Sequence, residues 1–194
     1  EYMTIAANVA NVASNWSNGT VGDAELARGH SDSDPASACA ADASDANAYV
    51  ETTCTGSSSG TFSQRRTMNL SNGNVIWDLS GNVREWTDYY NDEEKPTPND
   101  TSYNEFSLPI VGTTTMPLSD LIPTNAVKSF WDDSWDSTEG VGKGKSGVDA
   151  DGGGFTRGGG YTGGTNNGIF RFRLDEDATA SSATLGFRCA VELP

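Results

Sequence analysis

The chain has 194 residues, 35% of them hydrophobic, with 22 glycines and a formal charge of −15 from 12 basic and 27 acidic side chains. That field disfavours a nucleic-acid backbone or an anionic membrane surface as partner, and no apolar run approaches the length of a membrane-spanning helix, so direct membrane insertion is not expected. A helical bundle is disfavoured too: glycine with abundant Ser, Thr, Asn and Asp favours turns and ordered connections, around a core that residues 1–194 suffice to build as a single domain.

From the amino terminus, Tyr2, Ile5, Ala6, Val9 and Ala13 recur at helical spacing, which predicts an amphipathic helix up to about Val12. The chain opens at Glu1-Tyr2-Met3 inside that pattern, so an upstream segment is expected. Asn15-Trp16-Ser17-Asn18-Gly19 stops the helix. Residues 29–60, with a polar run from His30 to Pro35, read as a long surface excursion with little core of its own. His30 is the sole histidine and stands beside Asp32 and Asp34, but no second soft ligand is near, and a solvated loop histidine is the expectation. Cys39 and Cys54 lie in turn-rich sequence where a bridge and two free thiols both stay open, whereas Cys189 is expected as a buried thiol in an apolar strand.

Thr67 to Leu70 and Val75 to Trp77 flank Ser71-Asn72-Gly73-Asn74 and predict a hairpin. The hairpin feeds the densest stretch of the sequence, N-V-I-W-D-L-S-G-N-V-R-E-W from Asn74 to Trp86. Val75, Ile76, Trp77 and Leu79 seek a core, Gly81-Asn82 forces a tight turn, and Asp78, Glu85 and Asp88 bring carboxylates near exposed backbone carbonyls. A buried turn of this kind has acceptors without donors, for which a hard cation is the usual remedy, so a structural Ca²⁺ is expected. The alternative is that Asp78 caps turn amides while Glu85 pairs with Arg84, Arg65 or Arg66.

Further on, the acidic, proline-broken segment from Asp92 to Pro98 reads as a solvated loop, Leu118 to Ile122 as one helical turn, and Trp131 and Trp135 as anchors for long loops. Glycine dominates from Gly140. No G-x-x-x-x-G-K-[ST] pattern occurs, and no apolar strand precedes the run or helix follows it, so structural glycine in tight connections is expected rather than a phosphate cradle. Phe170, Phe172 and Leu174 alternate with Arg171, Arg173 and Asp175, which predicts a half-buried strand with a charged outer face. Leu185 to Val191 predicts a closing strand.

D-L-S-G-N-V-R-E-W at Asp78 to Trp86, R-G-G-G at Arg157 to Gly160 and L-G-F-R-C-A at Leu185 to Ala190 resemble, in that order, the formylglycine-generating-enzyme-like branch of the C-type lectin fold. The resemblance covers most of the chain, residues 29–60 most poorly, and implies an α+β fold with short helices, small twisted antiparallel sheets and extensive ordered loops. In the enzymes of that branch a copper-binding cysteine pair performs the oxidation. Aligning Phe170 to Leu174 with the strand that bears it puts Ile169 and Leu174 at the cysteine positions, and neither side chain binds copper. The related iron-dependent sulfoxide synthases need several histidines. No enzymatic activity is therefore expected.

A subset of the same branch is more similar: the variable proteins of diversity-generating retroelements. The similarity rests on E-Y-M-T-I-A followed by N-W-S-N-G and V-G, on S-N-G-N-V-I-W-D-L-S-G-N-V, and on R-G-G followed by a G-x-F strand and terminal G-F-R-C. It implies non-catalytic ligand binding through a surface diversified within residues 140–190, with a protein or glycan as ligand. The outward candidates are Tyr161, Thr162, Thr165, Arg171, Arg173, Asp175 and Glu176, with Phe155 as an outlier; Arg157 and Arg188 are assigned to structure. A virion or cell surface is favoured over the cytoplasm. The alternatives are an oxidase relative that has lost its catalytic cysteines and a structural virion or surface module. For calcium, the resemblance implies a ligand set of Asp78, the carbonyls of Gly81 and Val83, and Glu85.

Overall fold

The helical period at the amino terminus yields α1, Tyr2–Ala10, in a computed structural model that describes residues 1–31, 62–91, 102–106, 137–147 and 153–189. Ala6, Val9 and Ala10 are its buried residues, and Tyr2, Met3 and Ile5 pack partly against the core. The helix ends slightly before Val12. The last carbonyls of a helix lack donors, and here the next turn supplies them: the Asn15 amide donates to Val9 O at 2.8 Å and the Trp16 indole to Ala10 O at 2.8 Å. Asn15 and Trp16 are sealed inside. The polar stop signal therefore also anchors the helix, and the Asn15 side chain exchanges two further bonds of 2.8 Å with the backbone of Asn69.

That contact joins α1 to the expected hairpin, formed by β1 (Thr67–Asn69) and β2 (Val75–Trp77) with Met68 opposite Ile76. Gly73 takes φ +85° in its turn, a conformation glycine adopts without strain. Burial here corrects the reading of the apolar run: Leu79 is sealed, Ile76 and Trp77 are half-buried, and Val75 at the sheet edge is 44% exposed.

The larger sheet has five strands in the order β4-β6-β5-β3-β7. They are β3 (Arg84–Asn91), β4 (Gly144–Lys145), β5 (Gly153–Arg157), β6 (Phe172–Glu176) and β7 (Leu185–Gly186). β3, β5 and β6 are antiparallel neighbours, and the short β4 and β7 add to the two edges in parallel. Every residue of β5 is buried, so the strand is covered on both faces. Its glycines make room for what covers it: a Cβ on Gly154 would run into the Trp86 ring, and one on Gly153 into the Leu174 carbonyl. The β3–β5 register shifts between Trp86 and Tyr90, and the β5–β6 register between Gly154 and Thr156.

Phe170, Phe172 and Leu174 are fully buried and join Ile169, Phe106, Phe155, Val141, Leu26 and Trp16 in one cluster with α1. Phe155 meets Phe172 edge-on at 6.1 Å between ring centroids. The closing strand is shorter than its sequence promised. β7 ends at Gly186, Phe187 is 75% exposed, and Cys189 is exposed rather than buried. The Cys39–Cys54 pair, Asp32 and Asp34, the 92–98 loop, the helical turn at 118–122 and Trp131 with Trp135 lie outside the described residues.

Candidate functional site

The turn between β2 and β3 is largely buried, with Leu79, Ser80 and Gly81 all sealed. Its backbone takes positive φ at Asp78 (51°), Gly81 (75°) and Asn82 (60°), and two other segments press on it. Gly29-His30 lies on one side, where Asn82 N–H donates to His30 O at 2.7 Å and a Cβ on Gly81 would fall 2.5 Å from that same oxygen. Residues 158–161 lie on the other, where Gly81 N–H donates to Gly158 O at 3.3 Å and Tyr161 N–H to Asn82 O at 2.9 Å. This close approach also corrects the reading of His30, which is 8% exposed and stacks on Tyr161 at 6.0 Å instead of standing in solvent.

The acceptors that such a turn exposes inside the protein are met by side-chain donors. The Tyr2 hydroxyl donates to Leu79 O at 2.9 Å, and burial raises the pKa of that phenol. Arg66 grips Asp78 with two bonds, 2.7 and 2.5 Å, and the Asn82 amide adds a third at 3.2 Å. Arg188 does most. Its Nε donates to both Glu85 oxygens at 3.0 and 3.1 Å, and its Nη2 donates to Glu85 Oε1 at 2.7 Å, Trp77 O at 2.8 Å and Asp78 O at 3.1 Å. Burial works against the Arg188 charge, but the Glu85 carboxylate outweighs it and the pKa rises.

This bears on the expected calcium. A calcium ion needs oxygens free to face it. Of the four groups in the expected set, the Asp78 carboxylate is held by Arg66 and the Glu85 carboxylate by Arg188, while Gly81 lies in the turn and Val83 at its exit. Among the described residues no group of three or more His, Cys, Asp or Glu side chains is arranged to hold a metal. As arranged, the donors fit a guanidinium and do not fit calcium. The partner of Glu85 is none of the three arginines the sequence offered; it comes from the far end of the chain.

The candidate ligand-binding residues separate into two groups. Thr162 and Thr165 are exposed and Tyr161 is half-buried, in a loop where Gly158 and Gly159 take φ of 80° and 97°. Arg173 and Asp175 are half-buried in β6 and point away from the core, as the alternation predicts. They do not stand free: Asp175 bonds Arg173 at 2.5 Å and Lys145 at 2.5 Å, and Arg173 reaches Glu176 at 3.0 Å. Burial raises the Asp175 pKa and lowers that of Arg173, but their mutual bonds outweigh burial, so the carboxyl ends below and the guanidinium above its ordinary value.

Phe155, Arg171 and Glu176 are corrections. Phe155 is 6% exposed in the covered strand, against Phe172 and with the Arg157 guanidinium 4.4 Å from its ring centre. Glu176 is in phase with Phe172 and Leu174 on the inward face, and takes Arg84 at 2.8 Å as its counter-ion. Arg171 precedes β6, in a turn where its N–H donates to Gly168 O at 3.0 Å, so the pleat does not set its direction. It is 5% exposed, with its carbon stem against Gly142 and Gly159 and its guanidinium 4.8 Å from the Tyr103 ring centre. Nη2 meets the Tyr103 hydroxyl, whereas Nε and Nη1 have no partner among the described residues, and burial lowers its pKa. Tyr103 and Lys145 are neighbours the sequence reading missed, and it gave Arg84 and His30 other surroundings, because these contacts join distant segments and no spacing announces them.

Ile169 and Leu174, at the positions implied for the catalytic cysteines, are both fully buried. No curated protein and no solved structure matches the chain. The family model described as "Sulfatase-modifying factor enzyme 1-like domain" matches residues 6–193, and with its C-type lectin-like α+β fold the chain belongs to this FGE-sulfatase family.

Proposed function

We propose that this chain is a non-catalytic ligand-binding member of its family, recognising a protein or glycan through loops and strand faces within residues 140–190, a surface diversified by a retroelement. One observation carries the reading. Phe170, Phe172 and Leu174 are sealed in the core while Thr162 and Thr165, a few residues away on a glycine-framed loop, are exposed. Side chains of the second kind can change without disturbing the packing of the first. Tyr161 adds an aromatic contact, and Arg173 and Asp175 add charge of both signs at the edge of the patch.

Absence of the oxidase reaction is the companion claim. Its support is chemical: isoleucine and leucine stand at the two implied cysteine positions, and a hydrocarbon side chain offers copper no ligand. Copper loading followed by an oxidation assay on a cysteine-containing peptide tests it, and turnover would overturn it. The diversification claim is tested in the genome. A neighbouring reverse transcriptase and a near-identical template repeat, differing from this coding sequence at template adenines, are expected. A locus with neither would remove the retroelement from the account.

A further inference from the structure

We infer that the Arg188 guanidinium, and not a calcium ion, is the cation that closes the turn at Asp78–Val83. Five hydrogen bonds between 2.7 and 3.1 Å connect Arg188 to the Glu85 carboxylate and to the Trp77 and Asp78 carbonyls. Here those three groups converge on a single planar side chain. The remaining carboxylate of the turn, Asp78, is neutralised separately by Arg66.

The arrangement makes closure of the turn depend on the carboxy-terminal segment. Arg188 follows β7, which pairs with β3 at Arg84 and Glu85, so backbone pairing brings the guanidinium beside the carboxylate it holds. A lysine at this position would keep the charge but not the fork. Its single ammonium cannot reproduce the separate Nε and Nη2 contacts, which span side-chain and backbone oxygens. Without either cation, Glu85, 8% exposed, would be a buried carboxylate with no counter-ion.

Thermal melting of the wild-type protein and of Arg188→Ala and Arg188→Lys, each in excess chelator and in millimolar calcium, tests this. The wild type is expected to melt at the same temperature in both. Arg188→Ala is expected to melt several degrees lower than the wild type in both conditions. Arg188→Lys is expected to fall between the wild type and Arg188→Ala in chelator. A wild-type protein that loses stability in chelator overturns the inference, and that measurement needs no variant to fold. Arg188→Ala melting like the wild type also overturns it.

Discussion

Arg188 and Arg171 serve the same half of the molecule and stand in opposite surroundings. Arg188, at the end of the sheet, meets a carboxylate and two carbonyls. Arg171, beneath the glycine loop, meets one tyrosine hydroxyl and has two nitrogens without partners among the described residues. Carboxylates are not scarce in a chain with 27 of them. The difference teaches where stability is concentrated: the turn pairs its buried carboxylates, while the segment beneath the glycine loop holds a buried guanidinium with no ionic partner among the described residues.

The comparison is broken most sharply at Glu85. Arg188→Ala leaves the buried Glu85 carboxylate without its counter-ion, and a loss of about 3 kcal/mol is expected in urea unfolding, as for other pairs broken from one side. A loss below about 1 kcal/mol, in the range of exposed ion pairs, would show that solvent reaches and supports Glu85. Arg171→Met goes the other way. It replaces an unpaired buried charge with an unbranched apolar side chain, and a gain of about 1 kcal/mol in the same experiment is expected; a loss of similar size would mean that the free nitrogens have partners in solution.

The acid limb sharpens the contrast within β6. The folded Asp175 carboxyl lies below its ordinary value of 3.8 because Arg173 and Lys145 hold its charged form. Its stabilising contribution is therefore complete above the ordinary carboxylate range and is lost as pH falls through the lower folded value. Asp175→Asn is expected to reduce the stability difference between pH 6 and pH 3, measured by urea unfolding, and an unchanged difference would separate Asp175 from the acid response. Thr162→Ala and Thr165→Ala should have the smallest effects, within about 0.5 kcal/mol.

The sequence revealed elements whose determinants are local. The 3.6-residue period of Tyr2, Ile5, Ala6 and Val9 predicted α1, and Ser71-Asn72-Gly73-Asn74 predicted the hairpin turn. Alternation placed Phe172, Leu174, Arg173 and Asp175 on their faces. It failed at both ends of that run for a definite reason. The pleat begins at Phe172, so Arg171 lies outside it, and the same two-residue period that buries Leu174 also buries Glu176. Contacts between distant segments were not legible: His30 against Gly81, Tyr103 beside Arg171, and Arg188 on Glu85. Each depends on chain paths that no local spacing encodes.

A stability-selected library covering residues 153–176, with every position substituted singly, tests the central claim most directly. The account predicts that Thr162, Thr165 and Arg173 accept most side chains while Phe155, Arg157, Phe170, Phe172 and Leu174 reject nearly all. Equal tolerance at the two sets, or intolerance at Thr162 and Thr165, would contradict a fixed interior carrying a replaceable surface.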